Sequence, residues 1–189
     1  MTKNGIWFWQ PTTDYLKIAT QSVLGRRLVI IANYLIWLFL FFISYRLIRF
    51  SANLFWQILV ATIIAEIIER TIKSRVSWKR PLFERKDLLP GGLVKSWYQS
   101  GSFPSGHTSK AVFFFLMALQ YSIINPFVFI VVTVPLLLFR VLVGFHYPID
   151  MIGGVFVGLF SWLIVHQITF PPFLVESIHQ IFNIVFFIH

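Results

Sequence analysis

AVFFFLMALQYSIINPFVFIVVTVPLLLF, residues 111–139, runs for 29 residues without a charged side chain. Asn125-Pro126 interrupts it, a pair that starts turns and turns the chain away from helical geometry just before the proline. The stretch therefore predicts two apolar helices of roughly 17 residues each, folded into a tight antiparallel hairpin. Helices apolar on every side belong in a membrane or a deep core, and the flanking sequence decides for the membrane.

Upstream, residues 28–45 make eighteen positions without a charge, with Arg26 and Arg27 before them and Arg46 and Arg49 after. That is the pattern of a span with basic anchors at both ends. Residues 50–73 are apolar through Ile68 and carry Glu66, Glu69 and Arg70 in their last turns, which predicts a second span leaving the membrane in charge. Downstream, residues 148–170 form a further candidate span. Gly153, Gly154 and Gly158 on it permit close helix packing, and Pro171-Pro172 stops it. The fold class expected is all-α: a polytopic membrane bundle of about five transmembrane helices, each needing about 20 apolar residues. Residues 6–24 mix Trp7, Phe8 and Trp9 with Asp14 and Lys17, which suits a helix lying in the interface. Residues 173–188 are apolar but short and contain Glu176 and His179, so they are expected on the surface or against the bundle. The expected organisation is a single domain over 1–189: an interfacial segment 1–27, a helical core 28–170 with a loop at 74–104, and a C-terminal apolar segment 171–189. There is no internal repeat, and residues 1–21 lack the apolar core of a cleavable signal.

Composition agrees. Hydrophobic residues at 57% and charged residues at 12% exclude a water-soluble enzyme and a disordered chain alike. The absence of cysteine removes disulfides, thiolate nucleophiles and thiolate metal sites, leaving chemistry to His, Asp, Ser and the cations. Of the net charge of +9, residues 71–110 contribute +6, from eight Lys or Arg against two acids. A basic loop tied at both ends to spans is suited to phosphates or lipid headgroups and not to nucleic acid. Loops of about thirty residues are uncommon unless functional. The aromatics Trp78, Trp97 and Tyr98 predict that this one forms a folded cap on the membrane surface.

Three polar clusters map to the face that carries the loop. Lys73 and Arg80 are seven apart, which places both cations on one side of a helix continuing out of the second span until Pro81 breaks it. Phe103-Pro104-Ser105-Gly106-His107 stands immediately before the third span. Ser105 can cap that helix, Gly106 lets the backbone approach a ligand, and the free N–H groups of the first turn attract an anion. Arg140, His146 and Asp150 lie around the last loop. Pro148 fits a helical first turn, so the Asp150 carboxylate can reach the His146 imidazole and fix its tautomer. Each cluster alone has a plain structural reading: snorkelling cations, an interfacial histidine, a helix-start carboxylate. Together they put cations, helix N–H groups and two imidazoles on one surface. That set can hold a phosphate dianion while one imidazole attacks and another protonates the leaving oxygen, with no metal or other cofactor required.

Lys73, then Arg80-Pro81, then Pro104-Ser105-Gly106-His107, then Arg140, His146 and Asp150 resemble the three-part signature of the type 2 phosphatidic acid phosphatase superfamily. The resemblance implies His146 as the nucleophile of a phosphohistidine, Asp150 as its orienter and His107 as the acid for the departing group. It implies Lys73, Arg80, Ser105, Gly106 and Arg140 as phosphate ligands. Where that family usually has Ser before the arginine of its third motif, this chain has Phe139. Soluble vanadium-dependent haloperoxidases share the oxyanion pocket, and the spans favour the phosphatase. A short chain of this layout is similar to bacterial undecaprenyl pyrophosphate phosphatases and to phosphatidylglycerophosphate phosphatases. The expected substrate is thus a lipid phosphate and the expected place a bacterial cell membrane. Rival readings are an idle binder or carrier of lipid phosphates, which would not need both histidines with Asp150, and a structural subunit docking a partner through the loop. The side of the membrane stays open: the basic loop with Arg26 and Arg27 argues for the cytoplasmic face, whereas the resemblance argues for the outer one. Glu66 and Glu69, four residues before Arg70 and Lys73, are expected to neutralise those cations, with Glu69 orienting Lys73. His166, His179 and His189 are expected to take no part.

Overall fold

A computed structural model describes residues 5–76, 78–85 and 101–186, and over these the chain is helical with no strand. Seven α-helices follow in order: α1 (Thr13–Gln21), α2 (Val23–Phe50), α3 (Asn53–Val76), α4 (Gly106–Gln120), α5 (Pro126–Leu142), α6 (Pro148–Val165) and α7 (Pro172–Phe186). Short 3-10 turns at Ile6–Phe8 and Leu82–Glu84 flank the first helix and follow the third. The part of the basic loop that carries Trp97 and Tyr98 lies outside the described residues, and so does the surface cap expected there.

α2 and α6 are long and apolar enough to cross a membrane, and α5 is a shorter apolar helix. α2 continues past the uncharged run at both ends, to 28 residues or about 42 Å. The predicted hairpin is present: α4 and α5 have 15 and 17 residues, and Asn125 caps α5 by accepting from the Phe127 N–H at 2.8 Å. α6 ends at Val165, earlier than the apolar run does, where His166 stacks on Trp162 with ring centroids 4.3 Å apart. α3 runs to Val76, so the loop begins later than residue 74.

Small residues set the packing of α4 on α6. A Cβ added at Gly154 would lie 2.6 Å from the Ser105 carbonyl oxygen, and one at Gly158 would run into the carbonyl oxygen of Ser109. The two backbones approach because those side chains are missing. Around this pair α2, α3 and α5 close a core of Ile36, Leu40, Ile43, Leu54, Met117 and Phe129. The Phe113 and Phe114 rings are buried in the same core, as packing surface.

The N-terminal segment folds as one 3-10 turn and α1, with an extended residue, Ser22, making the corner into α2. Leu16 of α1 is buried in a second cluster with Val29, Leu82, Val143 and Phe145, which seats the segment on the functional end of the bundle. None of residues 172–185 of α7 is buried; the helix hangs from the other end of α3 through Trp56, whose indole N–H donates to the Leu174 carbonyl at 3.0 Å.

Candidate active site

The turn between α5 and α6 is built to return the chain sharply. Gly144 has φ +74°, and its carbonyl accepts from the Leu82 N–H at 3.1 Å. A side chain there would be strained by the backbone and would meet Leu82. The turn delivers His146, buried to 1% exposure, and then Asp150 in the first turn of α6. Asp150 Oδ2 accepts from the Tyr147 N–H at 2.7 Å, so the carboxylate caps the helix that carries it.

The His146 ring has partners on both nitrogens. Nδ1 lies 2.9 Å from the Ser102 carbonyl oxygen and 3.4 Å from Asp150 Oδ2. A carbonyl only accepts, which assigns the hydrogen to Nδ1 and leaves the lone pair on Nε2. Nε2 faces the Arg80 guanidinium, with Nη1 at 3.4 Å. The same Nη1 donates to the Phe145 carbonyl at 3.1 Å. Burial, followed by the nearby charges of Arg80, Arg140, His107 and Lys73, pushes the His146 pKa well below the ordinary histidine value, so the ring is neutral at physiological pH.

Cations converge on this ring from other elements. Arg80 and Arg140 both pack on the Phe145 ring, their guanidinium carbons 5.8 and 4.7 Å from its centroid, and both are buried to 6% exposure. Arg140 Nη1 donates to Asn33 Oδ1 on α2 at 2.7 Å. Lys73, on the last turns of α3, pairs with Glu69 one helical turn before it, as expected. Glu69 also stands 3.8 Å from Lys110, and Glu66 pairs with Arg70 at 2.8 Å. The Glu69 carboxylate lies so close over Gly106 that an added Cβ there would collide with it.

The start of α4 forms the opposite wall. Ser105 caps the helix by accepting from Thr108, and its own N–H donates to the Asp150 carbonyl at 2.9 Å, tying the second cluster to the third. His107 follows in the first turn. Its Nε2 is buried and makes no hydrogen bond among the described residues, and its ring packs on Trp37 with centroids 4.8 Å apart.

The structure thus brings Lys73, Arg80, Ser105, Gly106, His107, Arg140, His146 and Asp150 to one end of the bundle. One local expectation is corrected. Lys73 and Arg80 do not share a helix face, because α3 ends at Val76; Pro81 disfavours helical geometry at Arg80, which reaches His146 from irregular chain. The Asp150 carboxylate reaches the His146 imidazole as expected, with Oδ2 3.4 Å from Nδ1, and the Ser102 carbonyl stands closer still at 2.9 Å. Phe139 packs with the apolar cluster under α1. His166 and His179 lie away from the site, and His189 falls outside the described residues.

Ser102, Asn33 and Trp37 complete the site without any sequence motif. A backbone carbonyl leaves no residue signature, so Ser102 was not readable. Asn33 was: a lone amide inside an uncharged span needs a partner, and Arg140 is one of few groups available to it.

Residues 54–173 match the PAP2 superfamily, the type 2 phosphatidic acid phosphatases. The chain belongs to that superfamily. Members are phosphatases, which gives the site its reaction class, hydrolysis of a phosphate ester. No curated protein matches the chain. The superfamily match runs from α3 into the start of α7 and holds every motif residue, leaving α1 and α2 outside it.

Proposed function

We propose that this member of the PAP2 superfamily is an integral, multi-pass membrane lipid phosphatase working through a phosphohistidine on His146, without a metal. The observation that carries this reading is the His146 ring itself: neutral, buried, its Nδ1 hydrogen on the Ser102 carbonyl and its Nε2 lone pair beside Arg80. A phosphate seated on Arg80 meets that lone pair.

In the first step Nε2 attacks the terminal phosphorus and the bond from that phosphorus to the leaving oxygen breaks, the bridging oxygen of a lipid diphosphate or the ester oxygen of a lipid monophosphate, with His107 giving that oxygen a proton. In the second a water gives its proton to His107 and attacks phosphorus, the P–N bond breaks, and inorganic phosphate leaves. Arg80, Arg140 and Lys73, with the Ser105 hydroxyl and the Gly106 N–H, hold the equatorial oxygens as charge builds. Asp150 steadies the imidazole as it becomes cationic.

The lipid tail stays in the bilayer. Undecaprenyl pyrophosphate is the substrate we favour, with phosphatidylglycerophosphate and phosphatidic acid as alternatives, in a bacterial cell membrane. The test is inorganic phosphate release by purified protein in detergent with excess EDTA, from each of these three lipids. EDTA-resistant release that is lost in His146→Ala supports the reading, and the preferred lipid names the substrate. No release from any of them by folded protein favours a binder of lipid phosphates instead.

A further inference from the structure

We infer that α2, which carries none of the motif residues and lies outside the superfamily match, is a working wall of this active site: Asn33 positions Arg140, and Trp37 positions His107. The inference rests on the phosphatase reading and adds two positioning residues to it.

Asn33 and Trp37 are four apart on one helix, so they present to the same side. Asn33 sits inside the uncharged run 28–45, where an unpartnered amide would be costly. Its Oδ1 accepts from Arg140 Nη1 at 2.7 Å. Arg140 is thereby held from two directions, by this amide and by the Phe145 ring beneath it. A guanidinium used as a fork for phosphate must keep its plane, and the amide fixes one of its two terminal nitrogens.

Trp37 is 38% exposed, so burial does not explain its place. One face of its surroundings is His107, ring on ring at 57° between planes, and Lys110 stands with Nζ 5.8 Å from the indole centroid. His107 Nε2 has no hydrogen bond to orient it among the described residues. The indole is what sets the plane of the imidazole that must meet the leaving oxygen, and its π-face also favours the protonated ring the acid needs.

Two kinetic signatures separate positioning from mere packing. The substrates are dodecyl phosphate, whose alkoxide leaves only when protonated, and 4-nitrophenyl phosphate, whose leaving group needs little help. Asn33→Leu should raise KM by about tenfold on both, and by less than about twofold when added to Arg140→Lys, because coupled residues are not additive. Trp37→Leu should lower kcat on dodecyl phosphate about tenfold more than on 4-nitrophenyl phosphate, and Trp37→Phe should restore most of the difference. Equal cost of Asn33→Leu in both backgrounds, or equal cost of Trp37→Leu on both substrates, would overturn the inference. So would Trp37→Leu or Asn33→Leu at wild-type rates. A folded wild type inactive on every phosphate ester would instead defeat the phosphatase reading, and this inference with it.

Discussion

Nδ1 of His146 is held 2.9 Å from the carbonyl oxygen of Ser102, nearer than it stands to any carboxylate oxygen of Asp150. The tautomer that exposes Nε2 is therefore set largely by backbone, and Asp150 adds charge and a helix cap. Its removal should hurt less than removal of His146, the nucleophile we propose. Asp150→Asn is expected to lower kcat by about 10- to 100-fold, whereas His146→Ala should reduce turnover to background. Steady-state phosphate release by the two variants, with helical content checked by circular dichroism, measures the gap.

Stability should depend on pH through the same ring. The folded His146 pKa lies well below the ordinary value, pushed down first by burial and then by Arg80 and Arg140. The unfolded chain takes up a proton near pH 6.5 while the folded one does not. Stability is therefore full above that pH and falls as pH drops toward the folded pKa. Melting temperature in detergent should fall more between about pH 7.5 and about pH 5.5 for the wild type than for His146→Gln.

The α4–α6 crossing fixes the distance between His107 and His146. A Cβ at Gly158 would run into the Ser109 carbonyl oxygen and lie 2.9 Å from Val112 Cβ. Gly158→Ala should cost about 1–3 kcal/mol of stability and lower activity more than Gly153→Ala, where the obstacle is the edge of the movable Phe103 ring. Thermal melts and phosphate release on both variants test this.

The N-terminal segment is strapped over the site by polar contacts. Arg85 donates to the Pro11 carbonyl, to Thr13 and to Gln10, and Gln10 reaches the Tyr147 hydroxyl, which donates to Glu84 at 3.1 Å. Arg85→Ala should speed amide hydrogen exchange over residues 5–21, with a global cost near 1 kcal/mol. Unchanged exchange would mean that Leu16 and its apolar neighbours alone hold the segment.

The sequence was most legible where physics acts on composition. Uncharged runs marked α2, α4, α5 and α6, and Asn125-Pro126 placed the hairpin turn, because lipid leaves a chain few alternatives to helix. The motif residues were readable as chemistry because buried imidazoles, guanidiniums and a carboxylate on one face have few structural reasons to assemble. What escaped was relational. The end of α3 at Val76 freed Arg80 from the helix face that spacing assigned to it, and the Ser102 carbonyl joined Asp150 at Nδ1 without any residue signature to announce it. Trp37 reads as an ordinary membrane aromatic until the His107 ring is seen against it.

The central claim is a covalent phosphoryl intermediate on His146. Its most direct test is the stereochemical course at phosphorus, followed with a lipid phosphate made chiral by sulfur and oxygen isotopes and hydrolysed to inorganic thiophosphate. Two successive in-line displacements, first by Nε2 and then by water, predict overall retention of configuration. Inversion, the outcome of a single direct attack by water, would contradict the account.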